Sequence, residues 1–250
     1  MIALIQGVLT LDTETFAEFA ASRDVFKRGL LIILTVSLLM GFTTSAIDFY
    51  KRLTAPPLRE RMREAVQGLD EGFRAMRQFA PMDPEMVRKI RRYAKAGIGI
   101  GFRIAALPTR LPKQVGSILR AVGSFLSAPF ARLSGWMFYA LLVLLAAKLL
   151  GGKATVQQML GTTALYSLPH LLDIPAALLG LIPFVGGAAR FLLGLASLAW
   201  GIAVYIKATA VANEFTTGRA IFAAILPILA MALFLLLVVI IIVGVIAAVM

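Results

Sequence analysis

Tyr166, His170 and Asp173 fall at i, i+4 and i+7 in a strongly apolar stretch, a spacing that puts them on one face of a helix. A phenol, an imidazole and a carboxylate so placed can relay a proton or contact a polar headgroup. Ionisable groups at membrane depth cost about 2.5–3.5 kcal/mol on insertion scales and often mark a pathway. Lys207 and Glu214, seven apart and on one face of the following segment, are candidate partners. The structural alternative is that His170 and Asp173 satisfy each other and the carbonyls freed by Pro169 and Pro175. Hydrolytic chemistry has less support. Ser167 precedes His170 by three residues, but neighbours on one helix rarely have the geometry of an attacking pair, and Asp173 has no second carboxylate near it. One histidine and no cysteine exclude a multi-histidine or thiolate metal site. No metal and no cofactor is expected, and the chain is read as not an enzyme.

Membrane helices must carry these residues. Sixty per cent of the 250 residues are hydrophobic and 15 per cent charged, with a mean hydropathy of +0.87. No residue from Ala220 to Met250 is charged, and a hydrocarbon core of ~30 Å needs only about 20 helical residues. A buried core helix seldom stays uncharged for so long. No cleavable signal sequence is visible, so the first span is expected to do the targeting.

The fold class read from this pattern is all-α: a polytopic integral membrane protein with five transmembrane helices, an N-terminal interfacial helix and an amphipathic helical insert. Residues 1–28 form the interfacial part, with Ile2, Leu4, Ile5, Val8 and Leu9 in one apolar cluster. Asp12 or Thr13 then caps a second helix bearing Phe16, Phe19 and Ala20. Residues 29–50 are the first span, ended by the headgroup anchors Lys51 and Arg52. Residues 133–250 hold four more spans. The first of these, 133–150, has Trp136 and Tyr139 at one interface and Lys148 at the other. Gly151 and Gly152 turn the chain, with Lys153 as a further headgroup anchor. Residues 157–184 are interrupted at Pro169, Pro175 and Pro183. In 187–211, Gly187, Gly194 and Gly201 recur every seven residues as a seam for helix packing. The last span is kinked at Pro227.

The intervening insert, residues 51–132, is the extensively polar region, with 17 of the 25 basic and 6 of the 13 acidic residues. Leu58, Met62, Ala65, Leu69, Phe73, Met76 and Phe79 make a heptad-like seam. Asp83 caps a second helix opened by Pro84, with Val87, Ile90, Ala94 and Ile98 on one face. Pro108, Pro112 and Pro129 delimit a third amphipathic piece, 114–126. Nucleic-acid binding is rejected, because no recognition motif is present and the basic residues sit on helices with a continuous apolar face. The partners expected are membrane lipids including anionic headgroups, a second copy of the chain, or another membrane protein. Basic residues at both ends of the insert favour its lying in the cytoplasm.

The chain resembles the Yip1 domain family of five-span membrane proteins in its prokaryotic form. The resemblance rests on FAEFAASRDVFKRG before the first span, on GGKATVQQMLGTTALYSLPHLL after the second, and on WGIAVYIKATAVANEFTTGRAIFAAILP bridging the fourth and fifth. It covers residues 1–41 and 130 onward, and the insert departs from the family's compact pattern. It implies a multi-pass protein of a prokaryotic plasma membrane, without the GTPase contacts of eukaryotic relatives. The function expected is that of a non-enzymatic scaffold or accessory subunit, the alternative being a transporter or lipid translocator using the Tyr166/His170/Asp173 face.

Overall fold

The computed structural model describes residues 2–54, 56–79, 84–105, 113–182 and 185–249, and every regular element among them is helical. In chain order these are α1 (Ile2–Leu9), α2 (Thr13–Ala21), α3 (Val25–Leu53), α4 (Leu58–Phe79), α5 (Pro84–Ala105) and α6 (Lys113–Leu149). Then come α7 (Val156–Thr163), two 3₁₀ turns (Ala164–Ser167 and Pro169–Leu172), α8 (Asp173–Leu179), α9 (Gly186–Asn213) and α10 (Thr217–Val249). Two compact units result, Met1–Ile47 with Ala121–Met250, and Asp48–Arg120. Asp83, Pro108, Pro112 and Pro183 lie outside the described residues, as does the Arg52 side chain.

Among the described residues four helices are long and apolar enough to cross a membrane: Val25–Lys51, Val115–Leu149, Gly186–Asn213 and Thr217–Ile242. The expected span 157–184 is not one helix. Pro169 and Pro175 have no N–H to give, so the backbone shortens its reach: Leu168 N–H donates to the Leu165 carbonyl and Leu171 N–H to the Leu168 carbonyl, both at 3.0 Å. The resulting string runs antiparallel along all of α9. Asn213, at one end of α9, donates to the Met159 sulfur at 3.7 Å. At the other end, a Cβ added at Gly180 would stand 3.1 Å from the Arg190 side chain.

Pro129 does the opposite of what is expected, for α6 runs through it as a single helix of 37 residues. The carbonyl that Pro129 leaves unpaired is that of Phe125, and Gly41 of α3 packs there, a Cβ at 41 falling 3.6 Å from that oxygen. Residues 114–126 therefore belong to a membrane-length helix and not to a separate amphipathic piece. Likewise α10 continues through Pro227.

Asp12 is the N-cap of α2, its carboxylate accepting from the Thr15 N–H at 2.9 Å and the Thr15 hydroxyl at 2.6 Å. The apolar face of α1 and α2 packs on the protein's own α9. Val8, Phe16 and Phe19 are 0–2 % exposed, packed in a cluster with Val204 and Ala208 of α9. Alanine and valine there leave room for the phenylalanines, whose burial stabilises the hairpin against α9. Elsewhere α3 and α7 cross at two glycines, Gly29 and Gly161.

In the second unit, α4 and α5 pack together with Val87 buried and Met62, Ile90 and Tyr93 exposed. Asp70 of α4 accepts from Arg91 Nε at 2.7 Å and from Lys95 Nζ at 3.0 Å, both on α5. The Arg91 hydrogen bond, then that of Lys95, hold the Asp70 carboxyl well below its ordinary value of 3.8. A carboxyl depressed in the folded state stabilises fully above the unfolded value, and the contribution fades as pH falls below 3.8 towards the folded one. Asp70→Asn is thus expected to speed amide exchange in α4 and α5 at neutral pH. The difference from the parent should shrink with added salt and as the pH is lowered below 4.

Candidate functional site

Half-way along α9, Gly201 leaves space that the string of short helices fills with a histidine. A Cβ at 201 would stand 3.2 Å from His170 Nε2. Pro169 opens the second 3₁₀ turn and His170 follows it, so the ring is delivered by the proline-induced break. His170 Nδ1 lies 3.1 Å from Asp173 Oδ2 and 3.0 Å from Ser197 Oγ. Tyr166 stands edge-on to the His170 ring at 5.7 Å and to Tyr205 at 6.0 Å, and Tyr205 meets Tyr139 at 5.4 Å. All three apolar clusters of this unit pack against Tyr166. The three residues singled out by spacing are therefore together, although a 3₁₀ break and not one continuous α-helix assembles them.

Sequence reasoning missed other members. Arg132 of α6 donates to the Met40 sulfur and stands close enough to act electrostatically on Tyr166 and His170. Its depth follows from α6 continuing through Pro129, which read as a boundary in the sequence. Ser197 is separated from His170 by most of a helical hairpin, so no local signal could have named it. Trp136 is corrected from a headgroup anchor to an interior residue. It is 3 % exposed, and its Nε1–H donates to Thr163 Oγ1 at 3.2 Å, because α6 begins twenty positions before the expected span.

Lys207 and Glu214 do not join the cluster. Lys207 donates to the Thr13 hydroxyl at 2.6 Å, and Glu214 receives Lys153 at 2.6 Å across the α6–α7 and α9–α10 turns. The Glu214 carboxylate pushes the Lys153 ammonium pKa upward. Glu214 reaches that turn with a left-handed backbone, φ 56°. Behind the ion pair, the Asn213 side chain, 1 % exposed, donates to the Thr209 carbonyl at 3.0 Å and accepts from Ala154 N–H at 3.4 Å. The glycine seam also divides. Gly201 is occupied by His170, whereas a Cβ at Gly187 or Gly194 would meet nothing within 4 Å. Lys51 is exposed near the end of α3.

A cavity of about 430 Å³ borders the cluster, lined by Tyr139, Tyr166, His170 and Tyr205 with isoleucines of α9 and α10. Tyr139 donates to the Ala224 carbonyl at 2.8 Å, while the Tyr205 hydroxyl is buried with no partner among the described residues. In a hydrolytic triad the acid and the nucleophile occupy opposite ring nitrogens, so that the ring takes the proton from one side while the other is held. Here Asp173 and Ser197 share Nδ1, and the Ser167 hydroxyl is turned to the Ala164 carbonyl at 2.8 Å. Among the described residues no group of three His, Asp or Glu side chains is placed to hold a metal.

Long apolar crossing helices around a small interior polar cluster define a multi-pass α-helical membrane protein. The family profile for the Yip1 domain matches residues 6–240, and the chain belongs to that family. No curated protein and no solved structure matches it.

Proposed function

We propose that this chain is a non-enzymatic membrane-organising protein that crosses the bilayer five times and associates with a second copy through α9. The single observation carrying the proposal is the open part of the glycine seam, where a Cβ at Gly187 or Gly194 meets nothing within 4 Å among the described residues. Small residues on a membrane helix let another helix approach closely, and the van der Waals contact so gained drives association where lipid gives no hydrophobic drive. The fifth crossing is the broken string, which lies beside α9 from one end to the other. Support for a non-enzymatic role comes from the polar cluster, whose acid and hydroxyl meet on one nitrogen. The basic insert is assigned to the cytoplasmic side of a prokaryotic plasma membrane, on its charge.

Native mass spectrometry after lipid-preserving extraction tests this. The parent is expected as a homo-oligomer, and Gly194→Ile as a folded monomer, because a Cβ at position 194 meets nothing within 4 Å among the described residues. A monomeric parent, or an oligomer indifferent to the substitution, would refute association through α9.

A second reading, lipid translocation, is favoured by one feature. The cavity beside His170 places a tyrosine and histidine lining, Tyr139, Tyr166 and His170, next to the apolar faces of α9 and α10.

A further inference from the structure

Away from α9's open face, a groove of about 400 Å³ runs between α1, α3 and the two 3₁₀ turns. Leu4 of α1, Leu31 and Leu39 of α3, and Leu168 and Leu171 at the 3₁₀ turns line it. Arg28 stands at its head. Leu4 and Arg28 also line an adjoining hollow of about 320 Å³, whose remaining polar side chains are Thr15 and Glu18. Thr15 is engaged with Asp12 at 2.6 Å, which leaves Arg28 and Glu18 as the charged groups of the hollow, with Thr35 of α3 the neutral polar side chain along the groove.

The two charges are not spent on each other. Among the described residues neither Arg28 nor Glu18 is in an ion pair, while the neighbouring Lys27 pairs with Asp24 at 3.6 Å. Arg28 instead lies over the Phe19 ring, 5.0 Å from its centre. From Arg28 to Leu39 the groove follows eleven residues of α3, a rise of about 16 Å at 1.5 Å per residue. That is about half of a ~30 Å hydrocarbon core, the depth of one leaflet.

We infer that this groove and hollow hold one phospholipid with a primary-ammonium headgroup, of the ethanolamine type, from the leaflet at the N-terminal end of α3. The guanidinium of Arg28 receives the phosphate, for which its planar fork is suited. Glu18 receives the ammonium, and one acyl chain lies along Leu31, Leu39 and Leu168. A quaternary choline head fits less well, because it gives no N–H to a carboxylate and the Phe19 face that could hold it by cation–π attraction is covered by Arg28. An anionic glycerol head leaves Glu18 facing negative charge. The site shares no residue with the α9 face, so lipid retention and self-association can fail independently.

The test uses the full-length protein in detergent, with ethanolamine, choline and glycerol phospholipids of identical chains added in turn and retention read by native mass spectrometry. The ethanolamine lipid is expected to be retained about tenfold more tightly than either of the others, the difference one charge-assisted bond makes. Arg28→Gln should lose all three. Glu18→Gln should remove the preference for ethanolamine over choline while leaving retention of the glycerol lipid equal or stronger. Leu31→Trp, at a position 63 % exposed, narrows the groove without touching the core and should lower retention of every head alike. Preference for the glycerol lipid in the parent, or a Glu18→Gln protein that still discriminates ethanolamine from choline, would overturn the assignment, as would retention unaffected by both Arg28→Gln and Leu31→Trp.

Discussion

Gly29→Val is expected to lower the thermal stability of the protein sharply. The position lies where α3 and α7 cross backbone to backbone, and a Cβ there would strike the Gly161 carbonyl oxygen. The obstacle on the other side is equally fixed, since a Cβ at 161 would fall 2.5 Å from the Val25 carbonyl oxygen. A flexible side chain could swing away, but two helix backbones can relieve the overlap only by moving apart, which would also unseat Trp136 and Leu160 beside them. The cost belongs at the top of the overpacking range, about 3 kcal/mol, against a total stability of about 5–15 kcal/mol for ordinary domains. Fluorescence-detected gel filtration after a heat step reads it directly. Gly29→Val should lose its monodisperse peak at temperatures the parent survives, whereas Gly194→Ile, facing open space, should not. Equal survival of the two would contradict the crossing.

His170→Leu is expected to lower the thermal midpoint through the partners it abandons. Asp173 and Ser197 both turn to His170 Nδ1, and a buried polar group stripped of its hydrogen bond costs about 1–3 kcal/mol. The Asp173 side chain is 30 % exposed, and that water access keeps the loss at the lower end. Adding Asp173→Leu should then recover part of the loss, since the abandoned carboxylate is gone. A double variant whose loss equals the sum of the singles would show that the two side chains do not act on one another. The same proteins separate the two functional readings. Lipid scrambling in vesicles that disappears in His170→Leu at temperatures where the protein remains folded would favour translocation over organisation.

Some of this was legible in the residues and some was not, for physical reasons. The uncharged run from Ala220 announces a crossing helix because nothing else accommodates it. Asp12 announces a cap because a carboxylate before a helix has free N–H groups to accept. His170 and Asp173 lie three apart, close enough that helical and 3₁₀ geometry alike bring them together. Arg132 was missed and Trp136 was read as an interfacial anchor by one assumption: that Pro129 ends a helix, when a glycine on α3 lies against the carbonyl it frees. Lys207 was paired by periodicity with Glu214, but periodicity says which residues share a face and not what that face meets. What it meets is the α1–α2 hairpin, through Thr13. Ser197 and the Gly29–Gly161 crossing depend on residues distant in the chain, and no local pattern encodes such a meeting.

That crossing bears on how the chain is made. During synthesis α3 emerges long before α7, and the whole Asp48–Arg120 unit must be translated between them. A strand of a soluble core kept waiting so long would offer its bare edge to any neighbour. A lone apolar helix in a bilayer already satisfies its own backbone, so it can wait among lipids until its partner arrives. The delay carries little entropic penalty, since each doubling of the connecting loop costs only about 0.6 kcal/mol. A large insertion between the two crossing helices is therefore cheap for this architecture, and the connection after α3 is where the chain could gain a new module without relearning how to fold.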